Sequence, residues 1–362
     1  MISKFQIKHV ARLLKQLLNK PKFSVIGGYH GVNLGDLALG FSVKNIIEES
    51  GFFCGMQTIY NLNAWPWPRT SYTIVGGGAV GYEYSLQKLI EKLDGNYKGL
   101  AFLGVDFNEA DYSEPVIEML KQADWISCRN QMQAERIIKI TLRQDITYHP
   151  DLVFSYKTQL SAKLRHAKKE KKLLINVVPL YGDFVNGVMI PKEVYKSERP
   201  ELYEKYESMI QAYRQSVRDL ANNYLGKGYS VETLAFEPDD DKVAKWFLEG
   251  MNVKFHEYTD DLEEMFSIIG TSECILATRY HATIIGIKVG SKLIPMTYAE
   301  KNDKLLLELG VDKSQYLSAL DLANGLDEFP SPIKISDNIV KEWEENSRNT
   351  ILNCIKNLKS AK

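Results

Sequence analysis

The chain of 362 residues is short of several things, and each shortage removes a class of protein. Four cysteines, Cys54, Cys128, Cys274 and Cys354, stand far apart in no metal-like spacing, so neither a disulfide scaffold nor a cysteine-ligated zinc site fits. Cys128 and Cys274 fall in apolar runs, where a free thiol behaves as a small apolar residue, and this points to a reducing cytoplasm. No apolar stretch is long enough to span a bilayer. The net charge is −1, so the basic footprint of a nucleic-acid binder is missing and no such partner is expected. Short repeats and low-complexity tracts are missing too. The acid run Asp239-Asp240-Asp241 follows Pro238 and opens a helical pattern, where carboxylates suit the helix dipole, so no metal is expected.

What the sequence does contain is a regular alternation. Short apolar runs at 23–28, 57–60, 72–76, 99–105, 124–129 and 146–148 read as strands, with helical patterns at 37–49, 84–94, 114–122 and 131–140. Such alternation indicates a parallel sheet covered on both faces. The grammar restarts at 173–179 and continues through a long helix at 200–225 and strands at 229–234, 254–256, 275–277 and 292–296. An irregular aromatic loop (Tyr181, Phe184, Tyr195) follows the first of these strands. The expected fold is α/β, with two Rossmann-like doubly wound domains facing across a cleft. The expected domains are 23–156 and 173–336, joined by a Lys-rich linker at 157–172, with a helix at 337–362 crossing back.

Residues 1–22 carry Lys4, Lys8, Arg12, Lys15, Lys20 and Lys22 and no acid. Lys4, Lys8, Arg12 and Lys15 share one helical face, and apolar residues take the other. This basic amphipathic helix suits a membrane surface; packing on a domain flank stands as the alternative. It lacks the build of a signal peptide.

Two places carry candidate chemistry. The first is Arg279-Tyr280-His281, where the apolar run Cys274–Ala277 gives way to a helical pattern. Ligands of open α/β sheets bind outside the carboxyl ends of strands, so this spot places a cation beside a titratable imidazole at a crevice mouth. The second is the strand-to-helix turn Gly27-Gly28-Tyr29-His30-Gly31-Val32-Asn33-Leu34-Gly35-Asp36. It has neither the lysine of a P-loop nor a spaced dinucleotide fingerprint. It reads as a phosphate or sugar loop, or as a glycine-rich turn with Asp36 as helix cap. Arg129 ends a strand of the first half much as Arg279 does in the second, and two guanidiniums can grip a doubly charged anion. His30 is the reserve to His281, and His149 reads as a loop residue. Trp65-Pro-Trp67-Pro-Arg69 is a rigid aromatic loop that either stacks on sugar or packs on the sheet edge. Gly76-Gly77-Gly78 ends a strand and allows close approach.

Taken in order, these residues resemble the polysaccharide pyruvyl transferase family over about 23–310. The resemblance is carried by Gly31-x-Asn33-x-Gly35-Asp36, Gly76-Gly77-Gly78, Arg129, Pro150-Asp151-Leu-Val-Phe154, Arg279-x-His281 and Tyr298-x-x-Lys301. It implies a GT-B-like pair of opposed Rossmann-like halves. It also implies transfer of the enolpyruvate carbon of phosphoenolpyruvate onto two hydroxyls of one sugar, giving a cyclic ketal and phosphate. On that reading His281 and Arg279 are catalytic. Arg129, Arg279, Tyr280 and Lys301 bind the donor, and Gly31, Asn33, Gly35, Asp36, Gly77, Gly78, Asn130 and Tyr298 serve the acceptor or its loops. No cofactor or metal is implied beyond phosphoenolpyruvate as co-substrate. The partners are a sugar or lipid-linked oligosaccharide and the inner face of a membrane. The family usually has Asp, then Ser, after the first-domain arginine, whereas here Arg129 is followed by Asn130, with Gln131 and Gln133 beyond; acceptor contacts or activity are expected to differ there. A nucleotide-sugar glycosyltransferase and a non-catalytic glycan binder are the rival readings. Replacing Arg279 or His281 is expected to abolish turnover and leave the fold intact.

Overall fold

The computed structural model describes residues 18, 21–29, 32–60, 70–107, 109, 111–157 and 161–360. The expected helix over 1–22, His30, Gly31 and the loop from Trp65 to Arg69 lie almost wholly outside them. The chain forms two compact units, Met1–Lys157 with Lys341–Lys362, and Thr158–Val340.

The first unit runs β1 (Phe23–Gly27), α1 (Leu34–Glu49), β2 (Cys54–Thr58), β3 (Tyr72–Gly78), α2 (Glu83–Leu93), β4 (Leu100–Val105), α3 (Glu114–Gln122), β5 (Trp125–Cys128), α4 (Gln131–Thr141) and β6 (Thr147–Tyr148). The sheet order is β2-β1-β3-β4-β5-β6, and every pair is parallel. β1, β3 and β4 are buried along their whole length, which is why they read as continuous apolar runs rather than alternating ones. Val75, Phe102, Leu86, Val116 and Ile137 fill one core beside them.

The second unit begins with α5 (Ser161–His166) and β7 (Glu170–Asn176), then a hairpin of β8 (Gly182–Val185) and β9 (Val188–Pro191). Next come α6 (Val194–Glu198), α7 (Pro200–Glu204), α8 (Tyr206–Gly226), β10 (Ser230–Leu234), α9 (Pro238–Phe247), β11 (Lys254–His256), α10 (Leu262–Thr271) and β12 (Ser272–Ala277). The unit closes with α11 (Tyr280–Val289), β13 (Lys292–Thr297), α12 (Glu300–Glu308), β14 (Leu317–Ser318) and α13 (Ala319–Ala323). Its parallel sheet has the order β11-β10-β7-β12-β13-β14, the order of a dinucleotide-type doubly wound fold. The last helix, α14 (Asp337–Ser360), supplies Lys341–Lys362 to the first unit. There Trp343 meets Phe154 edge-on at 5.1 Å, and Ser347 Oγ donates to Asp151 O at 3.0 Å.

Three stretches differ from the sequence reading. The expected linker contains α5 and the start of β7, because Leu164 packs under Gly270 of α10, where a Cβ would lie 2.7 Å from it. The irregular aromatic loop is in part a hairpin whose turn, Asn186-Gly187, has φ of 50° and 84°, the pattern that suits a two-residue hairpin. The long helix at 200–225 is two helices, breaking at Lys205.

In both sheets the chain order reverses once. In the first unit the reversal falls between β1 and β3, and in the second between β7 and β12. Such a switch point leaves a crevice outside the carboxyl ends of the two strands.

Candidate functional site

In the first unit the residues after β1 and β3 meet at the switch point. Asn33 caps α1, its Oδ1 accepting from Gly35 N at 2.8 Å and Asp36 N at 3.3 Å, so the capping role falls to Asn33 rather than Asp36. The Asp36 carboxylate turns toward the strand ends: a Cβ on Gly28 would lie 3.3 Å from it, and one on Gly78 would lie 3.6 Å away. Gly77 and Gly78 have φ of 73° and 84°, which side chains rarely adopt. The chain therefore turns away at the end of β3 and leaves the crevice lined by backbone. Tyr29 is fully buried and its hydroxyl donates to Gly76 O.

Arg129 follows β5 and is 5% exposed. Its Nε donates to Asp106 Oδ1 at 3.1 Å, its Nη2 to Asp106 Oδ2, and its Nη1 to Asp151 Oδ2 at 3.2 Å. Asp106 ends β4, and its N–H donates to Gly78 O at 2.9 Å. A continuous path thus joins Asp36, Gly78, Asp106 and Arg129 along the sheet's carboxyl edge. Asn130 caps α4, accepting from Gln133 N at 3.0 Å, while Gln133 Oε1 accepts from Phe107 N at 3.1 Å. Asparagine caps a helix as well as aspartate does, so the departure from the family pattern keeps the local structure. His149 does stand in the loop after β6, but it is buried there: it is 5% exposed, with Nδ1 against Pro150 O at 2.6 Å and Nε2 against Ser127 Oγ at 3.2 Å. Burial holds its pKa below the ordinary imidazole value.

The second unit gathers the remaining candidates at its own switch point. Arg279 is the N-cap of α11, and its side chain makes no cap bond. Its N–H donates to Asn176 Oδ1 at 2.8 Å, and Asn176 Nδ2 donates to Leu234 O at 3.1 Å. One buried amide thus ties the ends of β7 and β10 to the start of α11. His281 is 7% exposed, and its ring stands edge-on to Tyr280 at 5.2 Å. The exposed Lys301 lies over the Tyr280 ring at 5.6 Å. Burial raises the Tyr298 pKa, and the positive charge of Arg279 opposes the shift. His281, Arg279, Tyr280, Tyr298 and Lys301 are therefore neighbours.

Arg279 is also the centre of an ion cluster that its sequence context did not reveal. Nε donates to Asp240 Oδ2 at 3.1 Å, Nη2 to Asp240 Oδ1 at 2.6 Å and to Glu237 Oε2 at 2.8 Å, and Nη1 to Glu237 Oε1 at 3.1 Å. Asp240 is 1% exposed; burial raises its pKa, with the Arg279 guanidinium opposing. Asp240 also serves the capping box of α9 with Glu237, so the acid run does cap a helix, and it does more. Each arginine faces two carboxylates, which more than match its charge. Both guanidiniums are consequently fixed in direction before any ligand arrives, and neither offers a bare positive charge. Glu237, Asp106 and Asn176 escaped sequence reasoning, and Asp240 reads there as a helix cap but not as a partner of Arg279; the one readable signal among the missed residues was Asn176, a lone amide closing an apolar strand.

Among the described residues no helix is long and apolar enough to cross a membrane. Two solved structures share the architecture. A putative UDP-N-acetylglucosamine 2-epimerase from Listeria monocytogenes is similar at TM-score 0.54 and 8% identity, over 94% of this chain and 98% of that one. The UDP-GlcNAc 2-epimerase of Neisseria meningitidis, bound to UDP-GlcNAc, is similar at TM-score 0.50 and 9% identity, over 93% and 99%. These likenesses show a GT-B-like fold of two Rossmann-like units. In sequence, residues 33–300 match the polysaccharide pyruvyl transferase family, a span that takes in Asn33 and Asp36 at one switch point and Arg279 and His281 at the other. The chain belongs to the polysaccharide pyruvyl transferase family.

Proposed function

We propose that the protein transfers the enolpyruvate carbon of phosphoenolpyruvate onto two hydroxyls of one sugar, forming a cyclic pyruvate ketal on a cell-surface or exopolysaccharide precursor and releasing phosphate. The observation that carries this reading is the meeting of His281, Arg279, Tyr280, Tyr298 and Lys301 outside the carboxyl ends of β12 and β13. The reaction adds two C–O bonds to one carbon and breaks its bond to phosphate oxygen. One hydroxyl proton ends on the methylene carbon and the other leaves with phosphate. His281 is the group suited to move such protons. Lys301 and the N-terminus of α11 are assigned to the donor's negative charge, while the Arg279 charge is matched by Glu237 and Asp240. Arg279 then orients rather than attracts: with its N–H held by Asn176, it fixes the start of α11. Asp36, Gly77 and Gly78 are assigned to the acceptor side as residues that shape its surface, and Arg129, expected at the donor, is reassigned to that side because Asp106 and Asp151 match its charge.

The test is incubation with phosphoenolpyruvate and a panel of p-nitrophenyl glycosides, reading phosphate release and product mass. We expect phosphate and a ketal-bearing product from at least one glycoside, and loss of both in His281→Ala with the thermal midpoint kept. Turnover of His281→Ala near the parent level removes His281 from the site. A larger thermal shift with UDP-GlcNAc than with phosphoenolpyruvate favours the glycosyltransferase alternative.

A further inference from the structure

We infer that the second unit holds a subsite for an uncharged glycosyl ring, in the pocket lined by Tyr181, Arg199, Tyr298, Asp303, Tyr316 and Leu320. This deepens the sugar-acceptor reading above and rests on it. The pocket is open and measures about 400 Å³, within the range of small-ligand sites. It lies at the carboxyl end of β13, where Thr297 and Tyr298 leave the sheet. Tyr298 is shared: it lines the pocket, and the Arg279 guanidinium acts on its hydroxyl. A ring seated here is therefore one side chain away from Arg279 and His281.

The lining selects the chemistry. Two cations, Arg199 and Lys313, meet two acids, Glu300 and Asp303. Lys313 is bonded to Asp321 at 2.6 Å, Glu300 to Lys304 at 2.9 Å, and Asp303 accepts from Thr297 Oγ1 at 2.9 Å. An anion would meet the acids and a cation the bases, so charge favours neither. The tyrosines are held in fixed attitudes: Arg199 lies over Tyr181 at 5.5 Å and Lys313 over Tyr316 at 4.3 Å. Burial pushes the Tyr181 and Tyr316 hydroxyls up to about 12, so both stay protonated at working pH and can donate as well as accept. Leu202, Ala319 and Leu320 add apolar wall. Apolar patches beside fixed donors and acceptors of balanced charge match a sugar ring, which presents C–H faces and hydroxyls of both kinds.

The test is saturation-transfer NMR without phosphoenolpyruvate, using the p-nitrophenyl β-glycosides of glucose and galactose, with the β-glucuronide as the charged arm. Leu320 is 44% exposed, so Leu320→Trp fills the pocket without touching the core; Arg199→Ala removes the second exposed wall. We expect a neutral glycoside to bind the parent protein at an affinity insensitive to salt, and ~10-fold more weakly in Leu320→Trp. Absence of binding by either neutral glycoside, preference for the glucuronide, or unchanged affinity in both variants overturns the subsite. Binding that the variants weaken, in a protein that releases no phosphate from phosphoenolpyruvate, upholds the subsite and rejects the pyruvyl reading.

Discussion

At the scale of single residues, the two arginines show how far function can be read from a motif. Arg279-x-His281 points to a charged site, and the structure does gather His281, Tyr298 and Lys301 around it. The partners that decide what Arg279 does, Glu237 and Asp240, lie 42 and 39 positions away and carry no mark of the pairing. This changes one expectation. Removing a partner from a buried ion cluster typically costs about 3–5 kcal/mol, so Arg279→Ala should lower the denaturation midpoint as well as turnover. His281→Ala should lower turnover alone, and equal midpoints for the two variants in urea unfolding would refute the distinction. His149 gives a pH signature. Its folded pKa is depressed by burial, so the unfolded chain takes up a proton more readily. Its contribution is unaffected above the ordinary imidazole value of about 6.5 and turns destabilising as pH falls below it. The urea midpoint should drop between pH 7.5 and 5.5, and by less in His149→Asn.

At the scale of elements, most strands of the two parallel sheets and several helices were legible, because a strand buried on both faces must be an apolar run; the hairpin strands and Leu317–Ser318 were not. Phe23–Gly27, Leu100–Val105 and Lys292–Thr297 are such runs. What was not legible is structure that depends on a distant partner. The helix Ser161–His166 sits in a Lys-rich stretch that reads as solvated linker. Yet Lys169 Nζ there donates to Leu164 O at 2.9 Å, Gly270 O at 2.7 Å and Val289 O at 2.6 Å. One ammonium thus joins carbonyls of α5, α10 and α11, the last at a helix C-terminus, where positive charge is favoured. Lys169→Met keeps the aliphatic stem and removes the donor. Given the usual worth of charged hydrogen bonds, it should destabilise by about 2–3 kcal/mol, and calorimetry showing no change would assign the lysine to solvent.

At the scale of the whole molecule, two sheets of the same grammar each bring candidate residues to the strand-order reversal, Asn33 and Asp36 in one and Arg279 and His281 in the other, while Arg129 follows β5, two strands away. That much was implicit in the βα alternation, since a doubly wound sheet has one such point. The units do not follow chain order at the end: Lys341–Lys362, part of the helix expected at 337–362, groups with Met1–Lys157. Trp343, Ile351, Cys354, Ile355 and Leu358 of this last helix are each 9% exposed or less. At about 1.5–3 kcal/mol per buried large apolar side chain, their removal approaches a typical domain's whole margin of 5–15 kcal/mol. Ending the chain after Ser336 should abolish cooperative melting of the first unit, as read by differential scanning calorimetry. Persistence of the full set of transitions would show that α14 is dispensable.

The same arrangement sets an order of events during synthesis. The ribosome delivers the stretch up to Lys157 before the second unit, and the helix that covers the apolar flank around Phe154 follows both. The half that is begun first is completed last, so newly made protein carries an unsealed surface for most of its translation.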